Sequence, residues 1–156
     1  MSNPSKRRGT AAETACVRWF RANGFPHADR QPLRGNRDAG DLALTAGVVA
    51  EVKAVSKGGT GQPPAQLLGS WMAQAEAERV NANAEHCLLI VKRAGTTDVA
   101  KWWCYLTVRD MGLLLAEVDL HLAVWSGPVC MSVQTATQLL RVAGYGAPLD
   151  EETRDD

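Results

Sequence analysis

The chain has 156 residues, of which 46% are hydrophobic and 22% are charged, and its formal net charge at pH 7 is zero. This length suits one domain with a sizeable core, and the composition is ordinary for a soluble globular protein. No stretch approaches the run of apolar residues that spans a membrane, and no apolar segment follows the polar N-terminus as in a signal peptide. The four cysteines are widely spaced and form no CxxC motif, which predicts buried, reduced thiols rather than a zinc site.

The zero net charge hides an uneven distribution along the chain. Residues 1–57 contain ten Lys and Arg against five Asp and Glu, whereas residues 58–156 contain seven against twelve. A basic first third suits the binding of a polyanion on one face of the protein.

The N-terminal region predicts a basic arm followed by a helix. Residues 1–9 are polar and predict a flexible arm that carries Lys6, Arg7 and Arg8. Thr10 and Glu13 then match a capping box, which predicts a helix from this point to Asn23-Gly24. Capping would explain Glu13 without any chemistry.

Residues 40–53 predict two short strands joined by a Gly-containing turn. Asp41 opens the first strand, and Glu51 and Lys53 lie two apart on the second, so they share a face while Val52 points to the other. A carboxylate and an ammonium in such an apolar run are costly unless they pair or bind something. An acid followed by Glu-x-Lys suits metal-dependent phosphodiester hydrolysis, because carboxylates hold a hard divalent cation and the Lys neutralises charge on the phosphate. A surface hairpin with a Glu–Lys ion pair would explain the same residues without catalysis.

The remaining chain predicts alternating helices and strands. Residues 25–30 predict a short strand that enters a polar loop rich in Arg and Gly before Asp41, and a Gly- and Pro-rich breaker covers residues 56–64. Beyond the breaker the pattern predicts a helix over 65–83, strands over 87–92 and 102–108, a short helix over 109–116, a strand or two within 120–133 and a helix over 135–143. The order α-β-β-β-α-β predicts an α/β protein with one central mixed β-sheet flanked by helices.

Together these segments resemble the PD-(D/E)XK nuclease superfamily and, more closely, archaeal-type Holliday junction resolvases, a family that some phages also carry. The resemblance covers residues 6–116 and rests on Glu13 in the first helix, Gly40-Asp41, Glu51-Val52-Lys53 and the strand at 89–92. Gly40 stands where the family has its signature Pro. The resemblance implies a restriction-endonuclease-like fold with a nuclease core over 10–116. Beyond it, we expect a C-terminal extension over 117–148 that packs on the core or the dimer, and the acidic residues at 149–156 predict a disordered tail.

The resemblance also implies roles for individual residues. Glu13, Asp41 and Glu51 would bind the metal together with the backbone carbonyl of Val52, and Lys53 would serve the attacking water. The metal would be Mg²⁺, with Mn²⁺ as a substitute, and no organic cofactor is expected. Candidate contacts with the DNA backbone are Lys6, Arg7, Arg8, Arg30, Arg34, Arg37, Lys57 and Lys92. Gln66, at the start of the second helix, is a candidate for a contact with the active site.

The expected function is a structure-selective endonuclease that resolves four-way DNA junctions and leaves 5′-phosphate ends. The resemblance implies a homodimer that binds branched DNA, has no membrane partner and acts in the cytoplasm of a bacterium or a phage-infected cell. Two alternatives stay open. One is a restriction-like, repair or phage DNA-processing nuclease that acts on other DNA substrates, and the other is a non-catalytic DNA-binding module of the same fold.

Overall fold

The computed structural model describes residues 3–32, 38–54, 62–115 and 127–148. The elements follow in chain order as α1 (Pro4–Ala22), β1 (Asp29–Arg30), β2 (Leu42–Thr45), β3 (Val48–Lys53), α2 (Ala65–Asn81), β4 (His86–Val91), β5 (Trp103–Thr107), α3 (Val108–Leu114), β6 (Pro128–Ser132) and α4 (Val133–Val142). A short 3-10 helix, Val99–Lys101, precedes β5. The predicted α/β class is confirmed.

The strands form one six-stranded mixed sheet in which the spatial order equals the chain order. β3 and β4 are parallel, with Val48 opposite His86 and Lys53 opposite Val91. The other neighbouring pairs are antiparallel. A parallel pair needs a crossover connection, and α2 provides it. The sheet therefore has two recognisable ends along β3, one at Val48 and one at Lys53.

Helices cover both faces of the sheet. On one face, α1 and α4 pack against the alternate residues Val48, Ala50 and Val52 of β3. On the other face, α2 packs against the apolar residues that alternate with them, such as Val49 and Leu89. Strands with both faces covered read as near-continuous apolar runs, which explains the sequence of β3 and β4. Within the described residues, no helix combines the length and the apolar character needed to cross a lipid bilayer.

Helix α1 begins at Pro4 rather than after Thr10. The Asn3 side chain accepts a hydrogen bond from the backbone N–H of Ser5 at 3.0 Å, and Pro4 occupies the first helical turn. Proline is favoured there because its missing N–H would have no partner in any case. The predicted capping box at Thr10 and Glu13 is therefore wrong, and residues 4–9 form the first helical turns instead of a flexible arm.

The cysteines follow the prediction with one exception. Cys16, Cys87 and Cys104 are free and buried, whereas Cys130 is free and exposed. Cys130 lies on β6, which is an edge strand of the sheet. The expectation of a buried thiol is therefore wrong for Cys130, because β6 is the last strand of the sheet among the described residues and its side chains are exposed or only partly covered.

Residues 128–142, within the predicted C-terminal extension, complete the sheet and its core. β6 pairs with β5 from Trp103 to Thr107. Helix α4 buries Val133, Ala136 and Leu140 in the same cluster as the apolar residues of α1. Residues 117–126 and the predicted acidic tail at 149–156 lie outside the described residues.

Candidate active site

The predicted site lies where β2 and β3 separate at one end of the sheet. On this side the pairing of the two strands stops at Leu42 opposite Ala50. Gly40 has a φ of +93°, and a Cβ at this position would lie 3.2 Å from the backbone oxygen of Ala50. Such a φ is accessible to glycine but strained for other residues, so Gly40 allows the sharp turn that leads into Asp41.

The Asp41 carboxylate takes the place of a strand partner for β3. Its Oδ2 accepts a hydrogen bond from the backbone N–H of Val52 at 2.8 Å. The backbone N–H of Val52 therefore donates to Asp41. That the backbone carbonyl of Val52 binds the metal stays a prediction. Burial raises the pKa of Asp41 to about 7, and the negative charge of Glu51 adds to this shift. The two carboxyls are close enough to share a hydrogen bond.

Glu51 and Lys53 lie together on the side of β3 that faces α2, as their spacing predicts. Glu51 is only 4% exposed. The Lys53 Nζ lies 2.5 Å from Glu51 Oε1 and 5.9 Å from the centre of the Trp71 ring. Burial raises the pKa of Glu51 to about 7, although the Lys53 ammonium opposes this shift. The ion pair with Lys53 therefore compensates the burial of Glu51 only in part.

Two side chains of α2 that the sequence does not predict at the site, Gln74 and Glu78, complete the cluster. Gln74 Oε1 accepts a hydrogen bond from Lys53 Nζ at 2.9 Å, and Gln74 Nε2 donates to Glu51 Oε1 at 3.0 Å. The same Nε2 donates to Glu78 Oε1 at 2.7 Å. Burial raises the pKa of Glu78, which is 2% exposed. Gln66 is exposed in the first turn of α2, and the glutamine of this helix that reaches Glu51 and Lys53 is Gln74.

Glu13 lies on α1, on the opposite face of the sheet from α2, and its carboxylate contacts Arg30 rather than Asp41 or Glu51. Its Oε2 accepts a hydrogen bond from Arg30 Nε at 2.7 Å and lies 2.5 Å from Arg30 Nη2. The negative charge of Glu13 contributes to the raised pKa of Asp41. Arg30, predicted to contact DNA, is therefore paired with a predicted metal ligand in this structure.

The donor chemistry of the site suits Mg²⁺, which prefers carboxylate oxygens. Among the described residues, however, no three His, Cys, Asp or Glu side chains are arranged so that they could hold a metal ion together. Two of the three predicted carboxylate ligands are paired with cations of the protein itself, because Arg30 binds Glu13 and Lys53 binds Glu51. Asp41 and Glu51 remain in mutual contact, with raised pKa values and without full compensation by cations.

The other predicted DNA contacts lie on two surfaces of the described chain. Lys6, Arg7 and Arg8 are exposed on the first turns of α1. Lys92 follows β4 at the same end of the sheet as the site, and its backbone N–H donates to the Lys53 carbonyl at 2.9 Å. The Lys92 Nζ lies 5.7 Å from the centre of the Trp102 ring. Arg34, Arg37 and Lys57 lie outside the described residues.

Comparisons of the chain with protein-family models, with curated proteins and with solved structures find no match. A functional conclusion therefore depends on the residues and contacts of this chain alone. The contacts that bear most directly on function join Glu51, Lys53 and Gln74, with Asp41 held beside them by the Val52 N–H.

Proposed function

We propose that the protein is a Mg²⁺-dependent endonuclease with a restriction-endonuclease-like fold of the PD-(D/E)XK type, and that it resolves four-way DNA junctions. The observation that carries the proposal is the meeting of Asp41, Glu51 and Lys53 at one end of the mixed sheet, with Lys53 Nζ 2.5 Å from Glu51 Oε1. The half-buried Asp41 and the buried Glu51, both with raised pKa values and next to an ammonium, suit the binding of a cation and a phosphate. A surface hairpin with a Glu–Lys pair does not account for the burial of Glu51.

The chemistry is divided among these side chains. Asp41 and Glu51 would hold Mg²⁺ through their carboxylate oxygens, with Glu13 as the third predicted ligand. Bound Mg²⁺ supplies charge neutralisation at the phosphate and a nucleophilic water at neutral pH. The Lys53 ammonium donates a hydrogen bond to a phosphate oxygen and stabilises the charge that builds there as the bond to the 3′-oxygen breaks. The products carry 5′-phosphate and 3′-hydroxyl ends.

Branched DNA would be bound through its phosphates by the basic surface of α1 and by Lys92. Because phosphate contacts dominate such binding, the affinity for a junction should fall steeply with rising salt concentration. Two symmetric nicks across a junction require two active sites related by a twofold axis, so the active form would be a homodimer.

The proposal is tested by cleavage of a synthetic immobile four-way junction in Mg²⁺ and in EDTA, with a linear duplex and a splayed-arm substrate as controls. Asp41→Asn and Glu51→Gln remove one charge each and keep the side-chain shape. Glu76→Gln is the matched control, because Glu76 is an exposed carboxylate of α2 that pairs with Arg79 at 2.6 Å. We expect paired nicks on the junction that disappear in EDTA, fall at least about a hundredfold in both site variants and persist in the control.

Other outcomes would change the proposal in defined ways. Equal cutting of the linear duplex would keep the active site and move the function to a restriction-like or repair nuclease. No cutting of any DNA, with junction binding intact, would favour a non-catalytic DNA-binding module.

Metal binding can be measured without cleavage. Mg²⁺ at about three times its Kd should stabilise the wild type by about 0.8 kcal/mol, because a ligand that binds only the folded state shifts the unfolding equilibrium. The increase in Tm should be absent in Asp41→Asn and present in Glu76→Gln. An equal increase in Asp41→Asn would remove Asp41 from the proposed metal site.

A further inference from the structure

Glu78 is a buried carboxylate that packing does not explain. It is 2% exposed, and α2 packs here on an apolar face of the sheet around Val49, Leu89 and Val91. Within the described part of the chain, its Oε2 is a buried atom without a hydrogen-bond partner. An unsatisfied buried polar atom costs about 1–3 kcal/mol, and an apolar side chain of similar volume would avoid this cost. Glu78 therefore weakens the fold, which favours a role outside packing.

The contacts of Gln74 with Glu78, Glu51 and Lys53 together determine which way the Gln74 amide faces. Gln74 Nε2 lies 2.7 Å from Glu78 Oε1 and 3.0 Å from Glu51 Oε1, and Gln74 Oε1 lies 2.9 Å from Lys53 Nζ. The reversed amide would place its carbonyl oxygen against two carboxylate oxygens and its NH₂ group against an ammonium. A carbonyl cannot donate to a carboxylate and an ammonium cannot accept, so the chemistry of the neighbours allows one orientation.

The orientation of Gln74 in turn fixes the position of Lys53. The ammonium lies between Glu51 Oε1 at 2.5 Å and Gln74 Oε1 at 2.9 Å. A lysine side chain has a flexible four-carbon stem, so its charge needs such acceptors to stay in one place. If Glu51 binds a metal ion, its oxygen is no longer available to Lys53 alone. The Gln74 carbonyl is then the acceptor that can keep the ammonium beside the scissile phosphate.

We propose that Gln74 and Glu78 are positioning residues for Lys53 and Glu51, with Glu78 fixing the orientation of the Gln74 amide and Gln74 holding the ammonium of Lys53. This inference rests on the proposed nuclease function. Neither residue touches the substrate; both act through the two side chains on β3. The burial of Glu78 then lowers the stability of the fold but helps to hold Lys53 in place.

The test compares Gln74→Met, Glu78→Met, the double variant and Glu78→Gln, with Glu76→Met as the exposed control on the same helix. Single-turnover cleavage of the junction should fall about 10- to 100-fold in each Met variant at the site, with junction affinity unchanged. The double variant should be no slower than the slower single variant, because both residues act in one chain of contacts. Glu78→Gln keeps an oxygen that can accept from Gln74 Nε2, so it should recover most of the rate.

Unfolding in urea with EDTA separates positioning from a structural role. Glu78→Met should be as stable as the wild type or more stable, because it removes an unsatisfied buried carboxylate. Gln74→Met should lower the free energy of unfolding more strongly when Glu78 is present than in the Glu78→Met background.

Three outcomes would overturn the inference. The first is a parallel loss of stability and cleavage in Glu78→Met without recovery in Glu78→Gln. The second is an additive loss of rate in the double variant. The third is an equal stability cost of Gln74→Met in both backgrounds, which would show that the Gln74–Glu78 contact does not fix the amide. A wild-type protein that cuts no DNA would overturn the proposed function and the catalytic part of the inference, whereas the stability comparison would still decide on the contact itself.

Discussion

Buried carboxylates lie at both ends of β3, and they have opposite titration behaviour. At the end marked by Val48, the neighbouring strand begins at His86, whose Nδ1 lies 2.8 Å from Asp110 Oδ1. Asp110 Oδ2 also accepts hydrogen bonds from the backbone N–H and the hydroxyl of Thr107, at 3.1 and 2.6 Å. Burial by itself raises the pKa of Asp110, but the hydrogen bonds from His86 and Thr107 outweigh burial and lower it.

At the end marked by Lys53, Asp41 and Glu51 each have fewer hydrogen-bond partners than Asp110 has. Asp41 accepts a hydrogen bond from one backbone N–H, and Glu51 Oε1 accepts from Lys53 Nζ and Gln74 Nε2. Burial consequently raises the pKa values of both acids to about 7. The comparison teaches that burial alone does not mark a functional acid. A carboxylate that the fold has satisfied is structural, whereas one left short of donors can still bind a cation.

The largest loss of stability should come from removing Asp110, the carboxylate whose hydrogen bonds the fold satisfies. Asp110→Ala should lower the free energy of unfolding by about 3–5 kcal/mol, because it leaves His86 buried without its partner. Asp98→Ala is the control, since Asp98 is exposed and also accepts from a backbone N–H, that of Ala100 at 3.1 Å. This control should lose about 1 kcal/mol. Urea denaturation measures both, and equal losses would contradict the structural role of the His86–Asp110 pair.

The pH dependence of stability should separate the two ends. In EDTA, the free energy of unfolding should fall as pH rises from about 5 to about 8, because Asp41 and Glu51, with pKa values raised to about 7, hold more protons in the folded state than in the unfolded chain. The contribution of Asp110 to stability changes with pH in the opposite direction. Its lowered pKa stabilises the fold above the usual aspartate range, and this stabilisation is lost as pH falls through that pKa.

Urea denaturation across this pH range provides the measurement. The double variant Asp41→Asn/Glu51→Gln should flatten the decline above about pH 5 and leave the acid side unchanged. A decline of wild-type steepness in this variant would assign the effect to other groups.

The smallest effect concerns the turn that places Asp41. Gly40→Ala should cost about 1–2 kcal/mol, because a residue with a Cβ is strained at a φ of +93°. Gly69→Ala is the matched control in the interior of α2, where a new Cβ would have no atom within 4 Å. Since alanine favours a helix interior, this control should gain about 0.5–1 kcal/mol. Equal stability of Gly40→Ala and the wild type would show that the turn tolerates a side chain.

Local patterns predict much of the fold and part of the site. The alternation in residues 48–53 is enough to place Glu51 and Lys53 on one face, because the side-chain period of a strand leaves no other choice. The same reasoning separates Val52 from them and makes it part of the core. The order of helices and strands through β5 also follows from the chain, because the Gly- and Pro-rich breaker at 56–64 and the apolar runs beyond it divide the chain into a helix and two strands.

Other parts of the site depend on contacts that local patterns do not contain. An apolar stripe predicts the face of α2 that meets the sheet, and its residues pack there: Leu68, Trp71, Met72, Ala75 and Ala82. The stripe does not predict which turn of α2 lies beside Glu51, so the contacts of Gln74 and Glu78 do not follow from the sequence, although their spacing of four puts them on one side of the helix. The start of α1 was missed because a nearby match to a capping box at Thr10 competed with Asn3-Pro4. The pair of His86 and Asp110 joins residues far apart in the chain, which local patterns do not link.

The hydrogen bond between Val52 N–H and Asp41 makes one amide proton a spectroscopic reporter on the site. A hydrogen bond to an ionised carboxylate is shorter and stronger than one to a neutral acid, so the resonance of this proton should move as Asp41 titrates. It should move again when a cation draws electron density from the carboxylate. Because Val52 belongs to the buried strand β3, this signal arises inside the fold and needs no attached probe group. One backbone resonance can then follow the ionisation of Asp41, the binding of an ion and the arrival of a substrate.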